Sequence, residues 1–410
     1  MKAVNLIVSF VLILLFFFFC SDKEDSNPVS PEPQSEFRWL STSGNQIVDS
    51  DGNQVLLYGV NRSGLEYDKN GNFMTDAEFQ YIIKQWQANV IRLPFNQDWV
   101  MNDENYNNKL DQVIGWIEQY GAYVILDLQW QDDQVRIPPI PNSEAVDMWK
   151  KLAERYKNDP AVLYDIHNEA HDVTIDEWRN RAIEIIEGIR SVHPRSLILV
   201  SGLNWASDVR EWAANPLPYE NIVYSVHCYP WWGGRNAWDQ NFGDYADQLP
   251  MFVGEFGGYR EHLSWGKELL AYLRQKKLGW TAWSWVDDPH LTGDDRRTPT
   301  EFGNLVRQVL IRYANPDLYM NRIVDVKVDY ITANRATIIW KTLQKSDSKV
   351  FYGLTENYID SVYAPVFLKA HTIKLTDLIA DTIYHFKILS EDELGFVVET
   401  SDSTFHTLMP

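Results

Sequence analysis

The feature that most constrains the fold is a regular alternation of short apolar runs with amphipathic segments between residues 37 and 313. This alternation is typical of parallel strands joined by helices, and eight strands are the number that a closed barrel requires. The eight predicted strands cover residues 55–60, 90–93, 122–128, 162–167, 196–200, 222–227, 251–254 and 280–283. The sequence therefore predicts an α/β fold, a (β/α)8 or TIM barrel over residues 37–316.

Amphipathic helices are predicted between these strands. They cover residues 75–87, 106–120, 143–156, 174–192, 262–276 and 299–313. We expect Thr75 or Asp76 to cap the first helix, with the side chain of Glu78 reaching back to the cap. Ahead of the first strand, residues 39–40 and 46–48 predict a hairpin that closes the bottom of the barrel. The crossovers after the fifth and sixth strands are long and irregular.

The pattern changes after Pro316. From residue 322 to residue 407 the apolar residues alternate with period two, and no helix is predicted. The predicted strands cover residues 336–341, 349–352, 371–375, 383–389 and 396–400. Trp340 lies on an early strand, where a core tryptophan is expected. Residues 320–410 therefore predict a small, all-β, immunoglobulin-like sandwich that acts as a spacer or packing module.

Residues 375–384 resemble the corner motif of fibronectin type III domains, with Tyr384 as the corner tyrosine. The resemblance implies a fibronectin type III-like domain, a family that fits the missing cysteines better than immunoglobulins do. A glycan-binding role for this domain would need a row of exposed aromatic side chains. Tyr352, Tyr358 and Tyr363 are candidates for such a row.

The N-terminal residues 1–20 predict a targeting segment. Lys2 precedes an apolar run over residues 6–19 that is shorter than the roughly 20 residues needed to span a bilayer. The run ends at Cys20, and an acidic cluster opens the linker over residues 21–36. This arrangement resembles a bacterial lipoprotein signal, which implies a lipid anchor on Cys20 and an extracellular or outer-membrane surface location. Such signals carry small residues where residues 17–19 are phenylalanines, so an ordinary secreted protein is the alternative.

The composition excludes several partners. The formal net charge is −20, with 57 acidic and 37 basic residues, which argues against nucleic acid and against electrostatic docking on anionic lipid.

Cysteines occur only at positions 20 and 228. If Cys20 is lipidated, no intrachain disulfide can form, and Cys228 is predicted to be a buried free thiol. Seventeen tryptophans exceed what a core needs, so some are expected to line a ligand surface. We expect a monomer.

Two glutamates follow predicted strands at the position where barrels carry catalytic groups. Glu169 comes after Asn168 past the end of the fourth strand, and Glu255 ends the seventh strand in the run Gly-Glu-Phe-Gly. Retaining hydrolysis of a glycosidic bond needs two carboxyl groups about 5–5.5 Å apart across the anomeric carbon. For that chemistry, burial and nearby negative charge must keep the acid protonated, and a cation must keep the nucleophile ionised.

Five motifs, each after its own strand, resemble glycoside hydrolase family five over residues 37–313. They are Asn168-Glu169, Gly254-Glu255-Phe256-Gly257, Arg92-Leu93-Pro94, His227-Cys228-Tyr229 and Trp283-Ser284-Trp285. The resemblance implies a retaining hydrolase of β-linked polysaccharide, either a cellulose-like β-glucan or a β-mannan, that needs no cofactor. We expect the enzyme to be endo-acting. It makes Glu169 the acid/base and Glu255 the nucleophile.

The same resemblance assigns supporting roles to four residues. Arg92 would bind the nucleophile, and Asn168 would hold the 2-hydroxyl group of the sugar. Tyr229 would donate a hydrogen bond to Glu255, and His227 would lie near the acid/base. All four are expected at the mouth of the barrel.

Two further binding candidates are Trp283 and Gln129. Trp283 matches the aromatic platform on which a pyranose ring stacks, and its indole nitrogen can still find a polar partner. Gln129 stands where the family usually carries a histidine, which leaves the substrate class open. Asp127, two residues earlier, is expected to hold loop backbone. The remaining tryptophans that can pack or touch substrate are Trp99, Trp130, Trp205, Trp231 and Trp232.

Other functions remain open at this point. His167 and His171 flank Glu169, but a zincin helix needs His-Glu-x-x-His, and this segment is predicted as a strand end, so no metal is predicted. The nearer alternative function is a β-mannanase or an exo-acting glycosidase. The further alternative is a non-catalytic surface lipoprotein that binds carbohydrate on the same barrel.

Overall fold

The computed structural model describes residues 37–319 and 321–410. The predicted signal over residues 1–20, its Cys20 and the linker over residues 21–36 lie outside the described residues. Every helix within the described ranges is too short or too polar to cross a membrane.

Eight parallel strands close into a barrel in which the last strand pairs with the first, which confirms the predicted fold class. The strands are β1 Tyr58–Asn61, β2 Val90–Asn96, β3 Tyr123–Trp130, β4 Val162–Asp165, β5 Ile198–Ser201, β6 Ile222–Cys228, β7 Met251–Phe256 and β8 Gly279–Ala282. Strand β1 begins later than predicted because Val55 donates its backbone hydrogen bond to Ile47 of the N-terminal hairpin. Cys228 on β6 is buried and forms no disulfide with any described residue.

All six predicted helices are present, together with shorter ones. The helices are α1 Asp76–Gln85, α2 Gln97–Asn102, α3 Glu104–Gln119, α4 Glu144–Tyr156, α5 Ile175–Arg190, α6 Arg210–Ala214, α7 Arg235–Asn241, α8 Leu263–Gln275, α9 Glu301–Ala314 and α10 Pro316–Tyr319. Thr75 caps α1 by accepting the backbone N–H of Glu78, as predicted. The Glu78 carboxylate binds Arg62 instead of returning to the cap, so that part of the prediction is wrong.

The bottom of the barrel is closed and apolar. Strands Ser41–Ser43 and Gln46–Val48 form the predicted hairpin. Leu40 and Ile47 pack there against residues of the barrel strands such as Val90. The polar side chains that point into the barrel can therefore lie only toward the opposite end, where the strands have their carboxyl ends.

The C-terminal region is all-β and antiparallel in the residues described. Its strands are β9 Ile323–Asp329, β10 Ala336–Gly353, β11 Asp360–Leu375, β12 Ile383–Glu391, β13 Val397–Glu399 and β14 Ser403–His406. The predicted strands 336–341 and 349–352 are two halves of β10, which changes partners along its length across a bulge. Trp340 is fully buried, as predicted, in a core that belongs to this region alone.

Candidate active site

Four fully buried polar residues line the upper interior of the barrel on neighbouring strands. They are Asn61, Arg92, Asp127 and Asp165. The strand register sets Asn61 beside Arg92 and Asp127 beside Asp165. Because inward-facing residues of a barrel form layers, these side chains meet at its centre.

Arg92 is the hub of this layer, and its guanidinium meets five polar side chains. Its partners are Glu255 Oε1 at 2.8 Å, Asn61 Oδ1 at 2.9 Å, Asp127 Oδ1 at 2.9 Å, Asp165 Oδ2 at 3.0 Å and Asn168 Oδ1 at 3.0 Å. The expectation that Asp127 holds loop backbone is therefore wrong. Strand β3 continues to Trp130, so Asp127 lies inside the strand and faces Arg92.

The charges in this layer do not balance if every carboxyl group is ionised, because one guanidinium faces Asp127, Asp165 and Glu255. Burial raises the pKa of Asp127 well above its usual value and also raises the pKa of Asp165. A proton retained on Asp127 lowers the number of buried anions. The positive charge of Arg92 is then shared by Asp165 and Glu255.

Glu255 ends its strand with a donor on each carboxylate oxygen. Arg92 donates to Oε1, and the hydroxyl group of Tyr229 donates to Oε2 at 2.8 Å. Burial raises the pKa of Glu255, whereas the charge of Arg92 and the hydrogen bond from Tyr229 oppose that rise. Hydrogen bonds of this kind favour the charged form of a carboxyl group.

Glu169 has a different environment. Burial raises its pKa to about 7, against the opposing influence of Arg92 and His171. His227 Nδ1 lies 2.8 Å from Glu169 Oε1 and 3.6 Å from Glu255 Oε2. Burial lowers the pKa of His227 to about 4, so its ring is neutral near pH 7. Near pH 7, Glu169 can therefore hold a proton, whereas two hydrogen-bond donors stabilise the charged form of Glu255.

The two glutamates are close together. One carboxylate oxygen of each, and a ring nitrogen of His227, all lie within 4.8 Å of one another. This spacing is compatible with the separation of about 5–5.5 Å between the carboxyl groups of retaining glycosidases. The site is unfavourable for a metal ion, because both Glu255 oxygens already accept hydrogen bonds from Arg92 and Tyr229 and the guanidinium would repel a cation.

Gly254, the residue before Glu255, allows His227 to approach. A Cβ atom at this position would lie 2.6 Å from Ser225 Oγ and 2.9 Å from His227 Nε2. Both separations are far below a normal van der Waals contact. The glycine of the Gly-Glu-Phe-Gly motif thus provides space for the histidine that links the two glutamates.

The other two predicted site residues, Trp283 and Gln129, are not bonded to this group. Trp283 is half-buried just past β8, and its Nε1 donates to the backbone oxygen of Asp288 at 3.2 Å. Gln129 is buried near the end of β3, and its Oε1 has no hydrogen-bond partner among the residues that the structure describes. A ligand hydroxyl group could satisfy that oxygen.

Several residues at the site were not singled out from the sequence. Asn61 and Asp165 had the same signal as Arg92, a polar residue near the end of an apolar strand. His171 was considered only as a metal ligand. Its ring stacks on Trp205 with centroids 3.6 Å apart, and its Nδ1 lies 2.8 Å from the Glu169 backbone oxygen. Of the remaining tryptophans, Trp99 is buried, Trp130 and Trp232 are half-buried, and Trp205 and Trp231 are exposed.

Comparison with known proteins agrees with this geometry. The family model described as Cellulase (glycosyl hydrolase family 5) matches residues 48–289. The chain is 26% identical over 279 residues to Endoglucanase E-5 of Thermobifida fusca, which covers 64% of this chain and 59% of the relative. It is 28% identical over 271 residues to Endoglucanase N of Pectobacterium atrosepticum, which covers 63% of this chain and 60% of the relative. The chain thus spans less than two thirds of either relative.

A solved structure is also similar. The β-glucanase SdGluc5_26A from Saccharophagus degradans, in complex with cellotetraose, superposes with a TM-score of 0.62 at 25% identity. The match covers 72% of this chain and 100% of that chain.

Proposed function

Because the chain belongs to glycosyl hydrolase family 5, we propose that it hydrolyses β-linked glucan with retention of configuration and cleaves within the polysaccharide chain. The observation that carries the proposal is the pair of glutamates past β4 and at the end of β7, whose oxygens lie within 4.8 Å of each other and of His227. The different surroundings of the two carboxyl groups, one with a pKa of about 7 and the other with two donors, support separate roles.

In the first step of the proposed mechanism, the Glu255 carboxylate attacks the anomeric carbon. The bond to the leaving oxygen breaks, and the Glu169 proton moves to that oxygen. This gives a glycosyl ester of Glu255. In the second step Glu169 takes a proton from a water molecule, whose oxygen attacks the anomeric carbon and releases Glu255. Arg92 and Tyr229 stabilise the charge that returns to Glu255.

The proposed substrate is β-1,4-glucan. Both curated relatives described above are named endoglucanases, and the similar solved structure contains cellotetraose. Asn168, held by Arg92, is the proposed partner of the 2-hydroxyl group, and Trp283 is the proposed ring platform. Gln129 is the proposed hydroxyl partner in place of the histidine that the family usually carries.

The test is an assay of purified protein on soluble β-glucan, mannan, xylan and xyloglucan, together with 2,4-dinitrophenyl β-cellobioside. We expect β-glucan to be cut and the first product to have the β configuration by proton NMR. Cleavage of mannan alone would replace glucan with mannan as the substrate. Binding of glycan without turnover of any substrate would favour the non-catalytic alternative.

Variants of the two glutamates separate their roles. Glu255→Ala should lose activity on every substrate, because the nucleophile is gone. Glu169→Ala should lose activity on glucan but keep the first step on the dinitrophenyl substrate, whose leaving group needs no proton. Added azide should then replace water and restore turnover in Glu169→Ala, with the β-glycosyl azide as the product. In Glu255→Ala azide can attack the anomeric carbon directly from the space that the carboxylate left, so any product should be the α-glycosyl azide. An α-azide from Glu169→Ala or a β-azide from Glu255→Ala would contradict this division of roles.

We also propose that residues 37–316 form the catalytic domain and residues 320–410 a fibronectin type III-like sandwich. Support comes from the separate core around Trp340 and from the hydroxyl group of Tyr384, which accepts the backbone N–H of Ile379 at 3.0 Å. This bond resembles the tyrosine corner of such sandwiches. Tyr384→Phe should therefore lower the free energy of unfolding by about 1–2 kcal/mol. An unchanged stability would argue against a corner role.

We also propose that the protein is exported and lipid-anchored through Cys20. The apolar run over residues 6–19 and the acidic cluster after Cys20 support export and lipid anchoring at the cell surface. Labelled palmitate should enter the protein in a Gram-negative host, and Cys20→Ala should abolish the label. Release of unlabelled, processed protein into the medium would favour ordinary secretion.

A further inference from the structure

Glu169 lies in a buried segment of irregular backbone. Strand β4 ends at Asp165, and helix α5 begins only at Ile175. Asn168 and Glu169 between them are largely buried. Backbone groups that lie outside strands and helices must find their hydrogen bonds elsewhere. The position of the Glu169 carboxyl group therefore depends on the partners that hold this segment.

Two neighbouring loops hold the backbone around Glu169. The backbone N–H of His171 donates to the oxygen of Pro139, in the loop after β3, at 3.1 Å. The backbone N–H of Trp205, in the loop after β5, donates to the oxygen of Ala170 at 3.0 Å. The backbone oxygen of Glu169 itself lies 2.8 Å from His171 Nδ1. Because a carbonyl oxygen only accepts, Nδ1 must carry the proton of the imidazole, and His171 thereby holds the Glu169 peptide group.

The ring of His171 is in turn held by Trp205. The two rings are stacked, with centroids 3.6 Å apart and planes 9° from parallel. His171 is buried, so the indole covers one face of a ring that is already enclosed. The imidazole therefore cannot rotate away from the Glu169 backbone without breaking this stack.

The stack depends on an unusual turn of the backbone. Asn204 and Trp205 have φ angles of 54° and 60°, and Ala206 has a φ angle of 55°. This left-handed conformation is unfavourable for residues that carry a Cβ atom. Strain of this kind is concentrated at functional sites, where the surrounding structure maintains it. The turn places both the backbone N–H and the indole of Trp205 against the segment of Glu169.

We propose that His171 is a positioning residue for the acid/base. Clamped by Trp205, His171 fixes the backbone of Glu169 so that the carboxyl group stays beside His227 and faces the leaving oxygen. This inference rests on the proposed glycosidase function and adds which residues control delivery of the proton. The alternative role is purely structural, in which the stack only stabilises the loops. The two roles differ in which leaving groups they affect.

The test uses two substrates of the full protein that differ only in the leaving group. In both, Glu255 forms a bond to the anomeric carbon of cellobiose while the bond to the aryl oxygen breaks. 2,4-Dinitrophenolate leaves without a proton, whereas the oxygen of phenyl β-cellobioside takes the proton of Glu169. In His171→Ala, kcat/KM for phenyl β-cellobioside should fall about tenfold or more. The value for 2,4-dinitrophenyl β-cellobioside should stay within about threefold of wild type.

Two further variants of His171 separate the hydrogen bond from the stack. His171→Asn keeps an N–H donor close to the place of Nδ1 and should recover part of the loss. His171→Phe keeps the stacked ring without the donor and should remain impaired on phenyl β-cellobioside.

Trp205→Gly tests the clamp, because it removes the indole while glycine readily keeps the left-handed backbone. It should show the same selective loss as His171→Ala, but of smaller size. His406→Ala, which removes an exposed histidine of β14, is the control and should match wild type on both substrates.

Equal losses on both substrates in His171→Ala would overturn the inference, because the variant would then have damaged the site as a whole. Unchanged activity on phenyl β-cellobioside would overturn it as well, and so would full recovery in His171→Phe. If the wild-type protein turned over neither substrate, the proposed function itself would fail, which is a different result from any of these.

Discussion

At the level of single residues, the pKa of Glu169 predicts the pH dependence of catalysis. Glu169 is the proposed general acid, which works only while it is protonated, and burial raises its pKa to about 7. For glucan oligosaccharides, kcat/KM should therefore fall as the pH rises through about 7. The control is 2,4-dinitrophenyl β-cellobioside, whose kcat/KM should lack this decline because its leaving group needs no proton. A decline of the same size for both substrates would assign the titration to another group.

Arg92 offers a second prediction at this scale, because it is the cation that faces Asp127, Asp165 and Glu255. Arg92→Met should lower the free energy of unfolding at pH 7 by about 3–5 kcal/mol, the usual cost of leaving a buried charge without its partner. Without the guanidinium, the folded protein binds protons on these carboxyl groups more tightly than the unfolded chain does. Its stability should therefore rise as the pH falls from 7 toward 5, and the deficit relative to wild type should shrink.

Urea unfolding at several pH values measures this effect. Arg92→Lys is the control, since it keeps the charge but has three donors where the guanidinium has five. Arg92→Lys should recover more of the stability that is lost in Arg92→Met than of the lost activity. A stability of Arg92→Met equal to wild type at pH 7 would mean that the carboxyl groups are already neutral.

At the level of elements, the packing of β6 against β7 around Gly254 can be tested. In Gly254→Ala the new Cβ would lie 2.6 Å from Ser225 Oγ and 2.9 Å from His227 Nε2, so the strands or the histidine must shift. A displacement of about 1 Å at a catalytic group can lower kcat about 100-fold. We expect a loss of that order in kcat on cellotetraose.

Ser225→Ala is the matched control, because Ser225 Oγ has no hydrogen-bond partner among the described residues and its removal should be nearly neutral. Combined with Gly254→Ala, it removes the shorter of the two contacts and should restore part of the activity. If the double variant is as impaired as Gly254→Ala, the contact with His227 alone accounts for the loss.

The barrel could be predicted from the sequence because each of its strands is an apolar run, which is a local pattern. The wrong predictions concern residues whose partners are far away in the sequence, and a local pattern does not identify such partners. Val55 bonds to the N-terminal hairpin instead of extending β1, and β10 crosses from one set of partners to another without a break. Asp127 was misassigned because its partner, Arg92, lies on another strand.

The contact between Trp205 and His171 could not be predicted from the sequence either. The stack of Trp205 on His171 depends on the turn Leu203–Ala206, in which three successive residues that are not glycine have positive φ. No glycine marks this turn, so its left-handed backbone could not be predicted from the sequence. The two proposed catalytic residues could be predicted because Glu169 follows a strand of the barrel and Glu255 lies near the end of another.

At the level of the whole molecule, the loop between β12 and β13 makes the contacts that hold the C-terminal region against the barrel. The ring of Phe396 lies between the guanidinium groups of Arg274 on α8 and Arg312 on α9, at 3.8 Å and 3.7 Å. Arg312 also pairs with Asp392 at 2.5 Å, and both side chains are largely buried. Leu394 packs into the outer core of the barrel. These contacts indicate that the C-terminal region is docked on the barrel.

A docked region should unfold together with the barrel, so we expect one thermal transition for the wild-type protein. Phe396→Ala removes a half-buried ring and two cation–π contacts, which should cost about 2 kcal/mol and separate the transition into two. Tyr330→Ala, on an exposed ring of the same region, should keep the single transition. Activity on cellotetraose at 25 °C should persist in Phe396→Ala, because no contact with the glutamates is lost. Two transitions already in wild type would instead indicate a tethered domain whose contacts with α8 and α9 are too weak to couple the units.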